Sequence, residues 1–231
     1  MEISPKVFAR AQKLNRRAVE ALFALVYPPV FRIARGLCGR EDVAEGVVRF
    51  VMLRAIVMLP NWRDETTAER WFLHHTLLTA RRAAAHQPTA NTDLLATDGD
   101  PRYVAFVRAI RQLPIQQREA IILHVGEHFN SRFLGIAMDC STDAAQTHLD
   151  AATAALRAIA GGDFGALVDR LSNGYAHLGP PADAIAPAVG RWARRGLRPH
   201  RFRRALRFLV AVVVIAVLIY AAWKWRALAG L

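Results

Sequence analysis

The stretch that decides the fold is Leu113-Pro-Ile-Gln-Gln-Arg-Glu-Ala-Ile-Ile-Leu123. It opens a helix, because proline at a first helical position loses no intrahelical hydrogen bond. Apolar residues then recur at a spacing that gives one helical face, namely Ile115, Ile121, Ile122 and Val125. Asn130 can cap a short following helix, and Asp139-Cys140-Ser141 forms a turn that ends in an N-cap. The sequence therefore predicts helices joined through a tight turn, which is the outline of a helix-turn-helix.

The second helix of this pair is predicted over residues 142–158. Its apolar face repeats every three or four residues and comprises Ala145, Leu149, Ala152 and Leu156. A helix that follows a tight turn and presents polar side chains outward has the geometry used to read a DNA major groove. The candidate DNA-binding residues are Ser141, Thr142, Gln146, Thr147 and His148. Two alternatives stay open, since Ser141 can serve as an N-cap alone and any antiparallel helix pair gives a similar pattern.

The chain has 231 residues and a formal net charge of +12, which points to an anionic partner, either nucleic acid or anionic lipid. Cys38 and Cys140 are far apart in apolar helical contexts, so neither a disulfide framework nor a cysteine-rich metal site is expected. His74-His75 and the pair His124 and His128 lack a third ligand, and we expect no metal and no cofactor. No carboxylate pair, Ser-His-Asp set or Cys-His set stands out, so we expect no enzymatic activity.

Residues 208–223 form a run of sixteen residues without a charge or strongly polar group. With its flanks, this run predicts a transmembrane helix over 205–225, roughly 20 residues long, as a bilayer core requires. The anchor residues are flanking cations and aromatics, namely Arg204, Arg207, Phe208, Tyr220, Trp223, Lys224 and Trp225. The alternative is a buried core helix, but the run lacks the polar stripe of such a helix. Arginines before the span place the body in the cytoplasm at the inner membrane, with residues 226–231 as a short tail.

Residues 161–204 connect the helical body to this span and contain eight arginines and three aspartates. Gly161-Gly162, Gly179-Pro180-Pro181 and Pro187 break any long helix, so we expect a partly flexible tether with an arginine-rich end. The arginines can bind DNA phosphates or membrane lipid, and their position beside the span favours anionic lipid. Cleavage within the tether would release the body from the membrane.

The first half, residues 1–87, has apolar residues at helical spacing and no strand-like alternation. We expect three or four helices around one core. Pro28-Pro29 should kink or split one helix, and a capping box at Thr66-Thr67-Ala68-Glu69 should open another. Trp62 and Trp71 can stack on melted DNA or pack in the core, and core packing is the commoner role.

Arg81 and Arg82 near the end of this half form either a phosphate-binding pair or a solvated helix end. Residues 88–101 are acidic and rich in breakers, which marks a linker before a second domain over 102–160. The predicted fold class is all-α, with two small helical domains and a C-terminal transmembrane helix.

The two halves together resemble a bacterial RNA polymerase sigma factor of the extracytoplasmic-function type, over about residues 15–160. The residues similar to the family's second region are Glu20-Ala21-Leu22-Phe23, Tyr27-Pro28, Val30-Phe31-Arg32-Ile33-Ala34, Asp42-Val43-Ala44-Glu45 and Arg70-Trp71. Those similar to its fourth region are Leu113-Pro114, Gln117-Arg118-Glu119-Ala120, Glu127, Phe129, Ser141, Leu149, Ala151-Ala152 and Leu156-Arg157. The order and spacing of the halves are more specific than either motif.

The resemblance implies that the first domain binds core RNA polymerase and opens promoter DNA, while the second reads an element further upstream. It assigns polymerase binding to Asp42, Glu45 and Arg49, and it keeps a cationic surface at Arg81 and Arg82 in the strand-opening helix. An inhibitory anti-sigma protein or a releasing protease would be a further partner.

Two helices of the chain differ from the family's pattern. Where the family has acidic residues or glutamine facing the polymerase, this chain has Gly46, Arg49 and Phe50. Where the family has basic residues facing DNA, this chain has Gln146 and His148, and Asp150 adds a negative charge near the groove. The leading hypothesis is a membrane-tethered, sigma-like initiation factor. The alternatives are a sigma-derived membrane-bound interaction module without initiation activity, and a basic membrane-surface protein unrelated to transcription.

Overall fold

The computed structural model describes residues 3–85, 95–96, 99–198 and 215, and no strand occurs among them. The all-α prediction is confirmed for these residues. The helices in chain order are α1 (Pro5–Gln12), α2 (Arg16–Cys38), α3 (Glu41–Met58), α4 (Glu65–Ala85), α5 (Pro101–Gln112), α6 (Ile115–Glu127), α7 (Ser131–Met138), α8 (Thr142–Ala160) and α9 (Phe164–Ala176). A further helix, α10, occupies 182–198, and single 3-10 turns lie at Leu59–Asn61 and Gly161–Asp163.

In the first half, α2, α3 and α4 pack on one another, and α1 lies against α2. The Asn15 side chain caps α2 by accepting a hydrogen bond from the Ala18 backbone N–H at 3.2 Å. The helix then continues through Pro28 and Pro29 to Cys38, so the two prolines do not split it. Buried apolar side chains on both sides of the prolines hold the helix in the core, which offsets the missing backbone donors.

The start of α4 differs from the predicted capping box. Asp64, not Thr66, caps the helix, because its carboxylate accepts the Thr67 backbone N–H at 2.7 Å. A carboxylate at this position both satisfies a free donor and interacts favourably with the helix dipole. Just before it, Trp62 is buried against Phe72, with 5.5 Å between ring centroids, so Trp62 is a core residue.

In the second half, a tight turn joins α7 to α8. Asn130 caps α7 by accepting the Phe133 N–H at 3.0 Å, and Ser141 caps α8 by accepting the Ala144 N–H at 3.1 Å. Gly135 permits the tight turn between them, because a Cβ there would lie 2.9 Å from a backbone oxygen. The apolar face predicted for α8 is buried throughout: Ala145, Leu149, Ala152 and Leu156.

The segment predicted to be a partly flexible tether is largely helical where it is described. In α9, Leu167, Leu171 and Tyr175 are buried. A Cβ on Gly36 of α2 would lie 2.5 Å from the Tyr175 ring, and one on Gly126 of α6 would lie 2.6 Å from it. Glycine at these two positions therefore allows the ring to enter between α2 and α6, and burial of this apolar face explains why 164–176 is packed helix.

The last helix, α10, packs on the first half of the chain. Its buried face comprises Ala188, Val189, Ala193 and Leu197, and Pro187 lies within the helix. The Trp192 ring meets the Tyr27 ring edge to face, with centroids 4.9 Å apart. The prolines and glycines that predicted a tether do not prevent helix formation here, because apolar residues at helical spacing bury one face of α10.

Polar contacts join the two halves. Arg32 on α2 pairs with Glu127 on α6 at 3.0 and 3.1 Å, and the Tyr175 hydroxyl donates to the same carboxylate at 3.1 Å. Arg111 on α5 donates to the backbone oxygen of Gly36 on α2 at 2.7 Å, so this hydrogen bond also joins the second half to the first. The buried side chains from α1 to α10 form one continuous core. The division into two domains stays a prediction.

The predicted transmembrane helix at 205–225 lies outside the described residues, apart from Ile215, and so do its anchor residues. Among the described residues, Arg16–Cys38 and Thr142–Ala176 are long and apolar enough to cross a membrane by length and composition alone. The first of these is α2, whose apolar side chains lie in the core, and the second comprises α8 and α9 with the turn between them. This finding is weak support for a membrane location.

Candidate nucleic-acid and protein interfaces

The polar face of α8 is exposed. Gln146 and Thr147 point into solvent, and His148 is half-buried. Gln146 donates to the Asp150 carboxylate at 2.7 Å, and the Thr147 hydroxyl donates to the backbone oxygen of Asp143 at 2.9 Å. The face available for contacting a groove therefore has hydrogen-bonding groups, but it also carries the negative charges of Asp143 and Asp150, which repel phosphate.

The beginning of α8 faces the first half of the chain across a cleft. The cleft has a volume of about 720 Å³ and lies between α4 and the α7–α8 turn. Its walls include Arg70, Trp71, His75, Arg132, Ser141 and Thr142. Ser141 is the N-cap here, as predicted, and its side chain and that of Thr142 are exposed. Ser141 and Thr142 therefore lie close to Trp71 of α4, whereas Arg81 and Arg82 do not line this cleft.

Trp71 lies at this cleft and stacks on His75, with ring centroids 4.1 Å apart and an interplanar angle of 21°. Unlike Trp62, it is only half-buried. Burial lowers the pKa of His75, and the neighbouring His74 lowers it further. The His75 ring is therefore favoured in its neutral form.

Arg81 occupies a position that neither of its predicted roles anticipated. Its guanidinium makes a bidentate pair with Glu119 of α6, with distances of 2.9 and 2.7 Å. The hydrogen bond to Glu119 raises the pKa of Arg81, although burial opposes this. Arg81 is thus engaged between the two halves, neither in a solvated helix end nor open toward a phosphate. Arg82 is exposed near the end of α4.

The three candidate polymerase-binding residues lie at the N-terminal part of α3. Asp42, Glu45 and Arg49 are exposed and line a groove of about 300 Å³ that also includes Arg191 and Trp192 of α10. The Arg40 side chain donates to the Asp42 carboxylate at 2.6 Å, and this hydrogen bond lowers the pKa of Asp42. The structure thus brings the three residues together and places α10 beside them.

On the floor of this groove, burial raises the pKa of Tyr27, and the nearby Glu45 raises it further. Tyr27 therefore stays neutral over the physiological range and acts as an apolar platform for Trp192. Sequence reasoning missed α10 as part of this site. The signal was present, because Ile185, Ala188, Val189, Trp192 and Leu197 follow helical spacing, but the prolines and glycines around them favoured a tether.

Within the described ranges, no group of three or more His, Cys, Asp and Glu side chains could hold a metal ion. Instead, the Nδ1 atom of His124 lies 2.8 Å from the backbone oxygen of Phe129. Cys38 and Cys140 are both free and half-buried.

The chain was also compared with known proteins. A scan against models of protein families finds no match, and a search of curated proteins finds no relative.

Proposed function

We propose that this chain is a sigma-like transcription initiation factor that binds core RNA polymerase and promoter DNA while tethered to the inner membrane. The observation that carries the proposal is the capped helix-turn-helix of α6 to α8, with the polar side of α8 exposed. This motif comes after an all-helical first half, and the two halves stand in the same order as the corresponding regions of the sigma factors that the chain resembles. The role is one of binding, without a reaction or cofactor of its own.

In this proposal, DNA contacts come from Ser141, Thr142, Gln146, Thr147 and His148, with Arg82 at the end of α4. Polymerase contacts come from Asp42, Glu45 and Arg49. The anchor is the apolar run over 205–225, which Arg204 directly precedes. Because α10 lies beside the polymerase-contact residues, polymerase must displace or accommodate this helix when it binds.

Reconstituted transcription tests the proposal. The full chain in detergent or nanodiscs is added to purified bacterial core RNA polymerase, and transcripts are sequenced from a promoter library. We expect promoter-dependent transcripts that are reduced by Glu45→Arg on α3. The matched control is Asp169→Arg on the exposed face of α9, which adds the same charge away from the groove. Failure of the folded chain to bind core polymerase would overturn the proposal.

A second candidate function is a sigma-derived, membrane-bound interaction module that does not initiate transcription. The Gln146 to Asp150 hydrogen bond favours it, because it holds a carboxylate on the face that would approach DNA. Restoring acids at Gly46 and Phe50 and bases at Gln146 and His148 separates the two candidates. An inert native chain with an active restored variant would favour the module, whereas an active native chain would exclude it.

A further inference from the structure

The free face of α3 combines cations with exposed apolar side chains. Phe50 is 55% exposed and Val57 is 48% exposed. Arg54, which is also exposed, lies between them on the same side of the helix, and the exposed Arg49 directly precedes Phe50 in the chain. Single exposed apolar residues are ordinary, but an aromatic and an aliphatic side chain flanked by arginines are typical of a surface that binds a lipid interface.

The neighbouring α10 presents a stripe made entirely of arginine. Arg191, Arg194, Arg195 and Arg198 follow a spacing of three, four and seven residues, and all four are exposed. This spacing places them along one side of the helix. The opposite side is buried on the first half of the chain, so the packing of α10 fixes the direction in which these arginines point.

The two surfaces lie side by side. Arg49 and Arg191 line the same groove, and further along, Gly196 approaches Ile56 so closely that a Cβ on the glycine would overlap the isoleucine side chain. The two helices therefore run in the same direction. The acidic residues of this face gather at the N-terminal ends of the helices, namely Glu41, Asp42, Glu45 and Asp183. The arginines lie further along both helices, and the C-terminal end of α10 is cationic.

The chain leaves α10 at this cationic end. Only residues 199–204 separate Arg198 from the predicted start of the transmembrane helix, and three of these six residues are arginines. A stretch of this length reaches at most about 25 Å even when fully extended. If the apolar run is in the membrane, the end of α10 lies within that distance of the bilayer surface.

We propose that the adjoining exposed faces of α3 and α10, hereafter the α3–α10 face, bind the surface of an anionic lipid bilayer. The inference rests on the membrane-tethering part of the proposed function. The arginines interact with anionic headgroups, and Phe50 and Val57 enter the interfacial region. Because the same face includes Glu45 and Arg49, docking on lipid covers the candidate polymerase-binding residues. Membrane docking and polymerase binding therefore compete.

Hydroxyl-radical footprinting of the full chain tests this proposal. The chain is reconstituted in nanodiscs of phosphatidylcholine alone or with phosphatidylglycerol, and oxidation of Phe50 is compared with that of Phe133. Phe133 is 45% exposed on α7 and serves as the internal control. We expect anionic lipid to slow oxidation of Phe50 and to leave Phe133 unchanged. Equal oxidation of Phe50 in both lipids would overturn the proposal.

A charge-matched pair of variants identifies the residues responsible. The triple substitution Arg194→Gln, Arg195→Gln and Arg198→Gln should abolish the protection of Phe50, because each arginine contributes about fivefold to association with an anionic surface. The control is Arg17→Gln, Arg108→Gln and Arg132→Gln, three exposed arginines outside the α3–α10 face. The control should keep the protection. Equal loss of protection in both variants would show an effect of net charge alone and would overturn the assignment.

Vesicle flotation distinguishes a failure of membrane tethering from a failure of the α3–α10 face to bind lipid. Flotation with phosphatidylcholine vesicles tests the apolar anchor, which needs no anionic lipid. A chain that floats only with phosphatidylglycerol and protects Phe50 there would support the α3–α10 face without an inserted span. A chain that floats with both lipids but shows no protection would overturn the face and keep the tether. Protection of Phe50 by duplex DNA and not by anionic lipid would assign the arginines to nucleic acid.

Discussion

The Arg81 guanidinium on α4 and the Glu119 carboxylate on α6 form a bidentate ion pair, with distances of 2.9 and 2.7 Å. The Glu119 side chain is 3% exposed and the Arg81 side chain is 32% exposed. A buried carboxylate is costly to leave without a compensating cation. The pair therefore links the packing of the first half to that of the second.

Removal of Arg81 should destabilise the whole chain. We expect Arg81→Ala to lower the free energy of unfolding by about 2–3 kcal/mol, somewhat less than for a fully buried pair because the arginine is partly exposed. Urea denaturation followed by circular dichroism measures the change. Arg108→Ala, at an exposed position on α5, should cost less than about 0.5 kcal/mol. Equal effects of the two substitutions would contradict a structural role for the ion pair.

Two glycines on helices should respond oppositely to alanine. In Gly126→Ala the new Cβ would lie 2.6 Å from the Tyr175 ring, so the ring must shift. We expect this substitution to lower the free energy of unfolding by about 1–3 kcal/mol. In Gly46→Ala on α3 the new Cβ would have no neighbouring atom within 4 Å. This substitution should raise the free energy of unfolding by about 0.5–1 kcal/mol, since alanine is the better helix former. Thermal unfolding of both variants checks the signs. A stabilising Gly126→Ala would mean that Tyr175 does not pack between α2 and α6.

The contact between Trp192 and Tyr27 should restrain α10 on the groove lined by the candidate polymerase-binding residues. Aromatic pairs of this geometry contribute about 1 kcal/mol beyond area burial, so Trp192→Ala should raise the affinity for core polymerase by about fivefold. Titration of labelled polymerase by fluorescence anisotropy measures this. Phe164→Ala on α9 removes another half-buried aromatic and is the matched control. Unchanged affinity in Trp192→Ala would show that α10 does not obstruct the groove.

The acidic character of α8 should limit DNA affinity. The double substitution Gln146→Arg and Asp150→Asn removes a negative charge and adds a cation on the exposed face. We expect tighter DNA binding and a salt dependence of log K that is steeper by about 0.9 for each additional phosphate that the protein neutralises. Asn173→Arg with Asp169→Asn makes the same charge change at the same spacing, at two exposed positions of α9. An identical response of both variants would assign the effect to net charge, against the role of α8.

The two cysteines should differ in reactivity toward thiol reagents. Burial raises the pKa of the Cys38 thiol to about 11, and the pKa of Cys140 is also raised. At pH 8 only about one Cys38 in a thousand is then the reactive thiolate, and packing shields it further. We expect Cys140 to be labelled first and Cys38 to be labelled only as the chain unfolds. Rapid labelling of Cys38 in native Cys140→Ser protein would contradict this burial.

The local features of the fold could be predicted from the sequence because they depend on neighbouring residues. The Asn130 and Ser141 caps each involve an N–H three residues further along the chain. The apolar face of α8 follows from spacing alone. The capping prediction at Thr66 was wrong because Asp64, two residues earlier, accepts the Thr67 N–H with a full negative charge, so the helix begins at Glu65 and Thr66 lies inside its first turn.

The sequence by itself determined the all-α class, the tight turn before α8 and the caps of α7 and α8, since these rest on contacts within about one helical turn. Only the tertiary structure decided that Arg81 pairs with Glu119, 38 residues away, and that α10 lies beside Asp42, Glu45 and Arg49. Such partners are chosen by shape and charge complementarity between surfaces distant in the chain. The spacing of apolar residues predicts which face of a helix is buried, but it does not predict which other surface packs on that face.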